Sequence, residues 1–148
     1  VIVGIDPGLS GAIAFIEDDE LVDVFDMPAA NGEVVGAHLS ELLDYPLLDR
    51  VWIEKVHSMP GQGVASTFKF GAAYGAVVAV CQAMRVPVER VTPQAWKKHA
   101  GLIGKDKDAA RLLALDLWPG SSELFARKKD CGRADAALIA RYGQGQAS

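Results

Sequence analysis

Apolar and polar positions follow two regimes along this chain. Val1-Ile2-Val3-Gly4-Ile5 is an unbroken apolar run that stops at Asp6, where Pro7-Gly8 turns the backbone. Such a run suits a strand buried on both faces. Residues 12–16 and 21–25 predict two further strands around Glu17-Asp18-Asp19-Glu20, a four-acid turn expected at a solvated hairpin tip. Strand, turn and strand make an antiparallel meander of three. The period then changes. Over residues 33–44, Val35, Leu39, Leu42 and Leu43 fall on one helical face until Tyr45-Pro46 stops it. Residues 50–54 form a short strand that again ends in a carboxylate, Glu54. Because a helical crossover precedes it, this strand is predicted to run parallel to the first. Asp6 and Glu54 then share the carboxyl edge of the sheet, where open α/β sheets hold their sites.

After the loop Gly61-Gln62-Gly63, a long helix is predicted over residues 64–84. In it Gly71, Gly75 and Ala79 recur every four residues, a smooth strip read as an intramolecular packing face in preference to a dimer contact. Residues 88–91 predict another strand, and Thr92-Pro93 a helix start with Thr as N-cap and Pro at the first position. Phe68, Phe70 and Tyr74, at helical spacing, are read as core. A last helix is expected over residues 134–142, with Asp135 in its first turn and a flexible Gly/Gln/Ser tail over 143–148.

Composition adds bounds. With 148 residues, half of them hydrophobic, the chain is expected to be one domain over 1–148 with a proper core. No apolar run reaches the roughly 18 residues of a membrane span, and no basic start leads into an apolar segment, so neither a span nor a signal peptide is expected. Cys81 and Cys131 lack metal-ligand spacing and disulfide density, which fits a reducing, cytoplasmic setting. Charge changes the picture more. Residues 1–54 hold twelve acids and one base, a net −11, and the remainder holds seven acids and fourteen bases, a net +7, giving the −4 of the whole. An acidic protein can therefore still carry a local basic patch for nucleic acid. Lys97, Lys98, Lys105, Lys107 and Arg111 are interleaved with Trp96 and His99, and Arg127-Lys128-Lys129 leads into Asp130 and Arg133.

Four acids share one description. Asp6 and Glu54 end strands, while Asp130 and Asp135 bracket the start of the last helix. Two carboxylates about 4 Å apart repel by roughly 4 kcal/mol at an effective dielectric near 20. Such a cluster takes up protons or binds cations, and an all-oxygen donor set favours Mg²⁺ or Mn²⁺ over zinc. Two such ions flanking a phosphodiester can activate a water and stabilise the departing oxygen. Asp130 also has a plain structural reading, a helix-start acid paired with Lys128 or Lys129.

The set Gly4-Ile5-Asp6-Pro7-Gly8, Ile53-Glu54 and Gly132-Arg133-Ala134-Asp135-Ala136-Ala137-Leu138-Ile139-Ala140 resembles the RuvC-type Holliday-junction resolvases of the ribonuclease H-like superfamily, and most of all their phage-encoded branch. The resemblance extends over essentially the whole chain, including the long Gly-containing helix and Thr92-Pro93-Gln94. It implies an α/β fold with a five-stranded mixed sheet, a meander of three strands plus two parallel strands, and helices on both faces. It also implies a metal-dependent, structure-selective endonuclease of DNA recombination and repair, acting as a homodimer on four-way junctions. Residue by residue, Asp6 would bridge two Mg²⁺ ions (Mn²⁺ able to substitute), Glu54 would ligate one and Asp135 the other. Bacterial members place an aspartate three residues before the last acid. That position is Gly132 here, and Asp130 is the available substitute. His57 stands where bacterial relatives carry an aromatic wedge. Lys105 and Lys107 match the family's basic stretch before its next helix, with Lys107 as the catalytic candidate. Lys97, Lys98, Arg111, Lys128, Lys129 and Arg133 would complete the phosphate contacts.

Other functions stay open at this point. The same fold serves broader branch and flap endonucleases, and a junction-binding scaffold that has lost its chemistry would keep the basic regions. A Gly-Ile-Asp-x-Gly turn also opens actin/hexokinase-type phosphotransferases, which need a second domain to close on nucleotide.

Overall fold

The computed structural model describes residues 1–55 and 61–146. Among the described residues, seven strands and five α-helices follow one another. They are β1 (Ile2–Asp6), β2 (Ala12–Glu17), β3 (Glu20–Asp26), β4 (Ala29–Ala30), β5 (Glu33–Val34), α1 (Gly36–Leu43), β6 (Arg50–Glu54), α2 (Val64–Ala83), β7 (Val88–Val91), α3 (Pro93–His99), α4 (Ala109–Leu117) and α5 (Cys131–Gln146), with two 3₁₀ segments before α5. The main sheet has the order β3-β2-β1-β6-β7. β1 pairs antiparallel with β2 and parallel with β6, and β6 runs parallel to β7. This is the expected mixed sheet, a meander of three strands extended by two parallel ones.

Alternation along β2 distributes the core between two faces, as a period of two requires. Ile13 and Phe15 join Val3, Ile5, Val51 and Ile53 under α1 and α2, with Leu39, Leu43, Val77 and Cys81 facing them. Ala12, Ala14 and Ile16 face the other way, toward Trp96 of α3, Ala110 and Ala114 of α4, and the run of small residues in α5. Helices therefore cover both faces. The side holding α5 is packed at closer range. A Cβ built on Gly4 would lie 2.3 Å from Ala136 O and Ala140 N. Glycine in β1 lets α5 rest backbone against backbone on the central strand, which carries Asp135 to the end where Asp6 stands.

Several expectations change. Residues 33–34 belong to a hairpin, because Asn31 (φ 55°) and Gly32 (φ 75°) form the left-handed Asn-Gly turn that closes β4 on β5. The helix begins only at Gly36. The last helix runs from Cys131 to Gln146, three residues earlier and four later than 134–142. Its final turn continues because Gly143 seats closely on the Trp52 ring, where a Cβ would lie 2.2 Å from the indole. Third, the Gly71/Gly75 strip of α2 is not an internal contact. Ala73, Val77 and Cys81 are the buried residues, while no described residue lies within 4 Å of a Cβ at Gly71 or Gly75. Phe68, expected in the core, is 77% exposed on that outer side. Finally, α2 is long and apolar enough to cross a membrane by length and composition, although one of its faces packs on the sheet.

Candidate functional site

The parallel register Ile5↔Ile53 places Asp6 and Glu54 at the ends of adjacent strands. α5, resting on β1 through Gly4, brings Asp135 beside them. All three are half-buried. Burial acts first on all three groups, and the acids' mutual charge second on Asp6 and Asp135. Burial, and next the charge of Glu54, raise the Asp6 carboxyl to about 7 against a backbone hydrogen bond at Gly8. Burial and then the charges of Asp6 and Glu54 raise Asp135 to about 7, with Lys97 opposing. Burial raises Glu54 too, opposed by the Trp96 indole N–H and by Lys97. Burial and mutual repulsion thus work against full ionisation of the three acids, and Lys97, the Trp96 N–H and the Gly8 bond offset them only in part.

That imbalance is the condition a cation relieves. As placed, no three Asp, Glu, His or Cys side chains among the described residues close tightly enough to hold one ion by themselves. The donor chemistry nonetheless fits a hard divalent cation, being entirely carboxylate. Asp6 and Asp135 open onto a cleft of about 400 Å³, whose walls also include Ser10 and the α2 residues Ser66, Lys69 and Phe70.

Asp130 does not join the cluster. Arg127 donates to it from its backbone N (2.8 Å to Oδ2) and from Nη2 (2.8 Å to Oδ1), and Arg133 Nη1 stands 3.7 Å away. The side chain is 2% exposed. Burial alone would raise its carboxyl, but the Arg127 bonds and both guanidinium charges outweigh that and hold it below the usual range. The expected fourth ligand is therefore a capping acid, paired with Arg127 and Arg133 instead of Lys128 or Lys129. Nor can Gly132 be replaced by an acid in place. A Cβ there would lie 2.5 Å from Ser10 O.

The predicted cations divide in the same way. Lys97 acts on both Glu54 and Asp135 and is brought to the site. Lys98, Lys105, Lys107, Lys128 and Lys129 are exposed. Lys107, expected to be catalytic, lies in the turn before α4. Arg111 is nearly buried, with Nε and Nη2 on Asp108 (2.8 and 2.9 Å) and Nη1 on Phe125 O (3.0 Å), so it ties α4 to the following 3₁₀ segment. Arg133 grips Asp26 through Nε and Nη2 (2.8 and 3.0 Å) and binds Leu124 O, joining α5 to β3. Neither arginine is placed for phosphate. His57 lies outside the described residues.

Two residues were missed in the sequence. Lys69 shares the cleft face of α2 with Ser66 and Phe70, a spacing of three and four that is visible in the sequence but not distinguishable there from any helix face. Trp96 was grouped with the basic surface. It is instead fully buried and donates to Glu54 Oε2 at 2.6 Å.

No family model matches this chain. A stretch of 95 residues, 64% of the chain, is 34% identical to the chloroplastic Holliday junction resolvase MOC1 of Chlamydomonas reinhardtii and makes up 11% of that protein. The chain thus spans about a tenth of the length of this curated relative. Among solved structures, Thermus thermophilus RuvC superposes with a TM-score of 0.69 at 20% identity, over 97% of this chain and 95% of that one. The same RuvC in complex with a Holliday junction substrate gives 0.70 at 19% identity, over 99% and 95%. The yeast mitochondrial Holliday junction resolvase Ydc2 gives 0.58 at 13% identity, over 95% and 76%. The fold is that of RuvC.

Proposed function

We propose that this chain is a metal-dependent, structure-selective endonuclease of the RuvC type that cleaves branched DNA, most specifically a Holliday-junction resolvase. The observation that carries the reading is the gathering of Asp6, Glu54 and Asp135 from three elements at the carboxyl edge of the sheet, all half-buried, with Asp6 and Asp135 lining one cleft. The match to a named resolvase and the RuvC fold support it, and the sequence motifs align it with the phage-encoded branch. Asp6 would be shared by two Mg²⁺ ions (or Mn²⁺), with Glu54 and Asp135 each holding one. When bound, such ions activate a water for in-line attack on phosphorus and stabilise the departing oxygen. Lys97 offsets charge beside the reacting phosphate. Lys69, which lines the same cleft from α2, would hold a phosphate oxygen of the bound strand. Lys98, Lys105, Lys107, Lys128 and Lys129 supply exposed contacts along the backbone, and His57 remains the candidate for the junction centre. Asp130, Arg111 and Arg133 are assigned to structure.

Symmetric resolution requires two such sites, hence an isologous dimer. The outer face of α2 supports this, with Val64 (88% exposed), Phe68 (77% exposed), Gly71, Ala72, Gly75 and Ala79 in one stripe. One feature favours the alternative of a junction-binding scaffold, the missing fourth acid at Gly132.

The direct test is cleavage of synthetic four-way, three-way, flap and linear duplex substrates with and without Mg²⁺. Paired, symmetric nicks in the four-way junction, absent with a chelator, are the expected result. Equal cutting of linear duplex would remove structure selectivity. Tight junction binding with no Mg²⁺-dependent cutting would select the scaffold.

A further inference from the structure

Trp96 is wholly buried among Ala12, Ala14 and the small residues of α5, yet it carries an N–H that must find an acceptor there. Of the three tryptophans, Trp118 donates to a backbone carbonyl, Asp19 O, at 3.3 Å, and Trp52 Nε1 is buried without a hydrogen-bond partner among the described residues. Trp96 donates to a carboxylate, Glu54 Oε2, at 2.6 Å. A charge-assisted bond of that length is among the stronger hydrogen bonds a neutral donor makes.

The bond reaches across the fold. Glu54 ends β6, and Trp96 lies on α3, whose start is fixed by Pro93 and by the Thr92 hydroxyl accepting from Ala95 N at 3.2 Å. The next residue, Lys97, is the cation that acts on Glu54 and Asp135, and it stands 5.6 Å from the Trp96 ring centroid. One rigid side chain thus sets both the glutamate and the helix that carries the lysine. A carboxylate offers about four lone-pair sites, so one indole bond leaves room for a cation while removing the rotation a free glutamate would have.

We propose that Trp96 is a positioning residue for Glu54, its indole N–H holding one carboxylate oxygen so that the group meets a divalent cation already oriented. The inference rests on the endonuclease reading, in which Glu54 is a metal ligand. Partners of metal-binding groups typically change metal affinity by roughly 10–100-fold when removed.

The test uses Mg²⁺ alone on the full chain, followed by junction cleavage. In ¹⁵N-indole spectra, one of the three tryptophan resonances should lie downfield, move on Mg²⁺ addition, and be missing from Trp96→Phe. That substitution keeps a ring in the core and deletes the donor. Trp96→Phe should require about 10–100-fold more Mg²⁺ for half-saturation by calorimetry and for half-maximal cleavage. At saturating Mg²⁺ its kcat should return to within a few-fold of wild type. A simple packing defect would lower the folded fraction without moving the Mg²⁺ requirement. An unchanged Mg²⁺ requirement in Trp96→Phe overturns the assignment. So does a wild-type indole spectrum that ignores Mg²⁺ at concentrations supporting cleavage, a measurement that needs no variant to fold. Asp6→Asn cutting as fast as wild type is a different failure, because it removes the nuclease reading and this inference with it.

Discussion

Asp6 and Asp130 are both acids at the ends of elements, and their surroundings act on them in opposite directions. Burial beside Glu54 pushes Asp6 up to about 7, while Arg127 and Arg133 hold Asp130 down. Substitution should separate them. Asp130→Asn is expected to cost about 1–3 kcal/mol in urea unfolding, the range for a buried polar network losing a partner, with Mg²⁺ affinity unchanged. A fall in Mg²⁺ affinity would restore Asp130 to the site. The first acid was legible only through its company: alone, Asp6 could equally cap the Pro7-Gly8 turn, but Glu54 and Asp135 at matching positions complete a motif set. Asp130 was not, because the choice among Arg127, Lys128, Lys129 and a metal depends on a capping geometry that sequence spacing does not specify. Trp96 was illegible for a related reason. An aromatic among lysines looks the same whether its ring faces solvent or the core.

The elements are positioned by glycines as much as by large apolar residues. Gly4→Ala would drive a methyl into the α5 backbone at 2.3 Å, which neither element can yield without losing its ladder or helix bonds. A destabilisation of about 3 kcal/mol or more is expected from chemical denaturation, and a near-neutral result would mean that α5 does not sit on β1 as described. The strand order was readable from the meander and from the helical crossover before β6. The β4–β5 hairpin was also written in the sequence, as Asn31-Gly32, but Val35 and Leu39 drew the helical reading across it. α3 bears a prediction of its own. Lys97→Met should reduce kcat by 10-fold or more, about 1.4 kcal/mol of barrier or above, while Lys107→Met changes mainly junction affinity. The reverse order would return the catalytic role to the loop before α4.

At the scale of the molecule, the acids make stability depend on pH in a defined direction. The folded carboxyls of Asp6 and Asp135, near 7, bind protons that the unfolded chain releases near 3.8. Without metal, stability should fall as pH rises from about 4 to 7, by on the order of a few kcal/mol for the coupled pair. Asp26, Asp108 and Asp130 are depressed and act oppositely, their contribution lost only as pH drops below the unfolded value. Mg²⁺ at 100 times its Kd should restore about 2.7 kcal/mol at pH 8, which thermal melts at pH 5 and pH 8 with and without Mg²⁺ would register. A flat pH profile would mean that the acids are not clustered. The division of charge into an acidic first third and a basic remainder was plain in the sequence, but which cations reach the site was not, because Arg111 and Arg133 are absorbed in holding helices together.

The central claim is that Asp6 anchors a metal-dependent phosphodiester cleavage, and Asp6→Asn on a labelled four-way junction in Mg²⁺ tests it most directly. The substitution changes one charge and almost no shape. Junction binding should stay within a few-fold of wild type while cleavage falls by about 10³-fold or more, some 4 kcal/mol of lost transition-state stabilisation. Cleavage at the wild-type rate would contradict it.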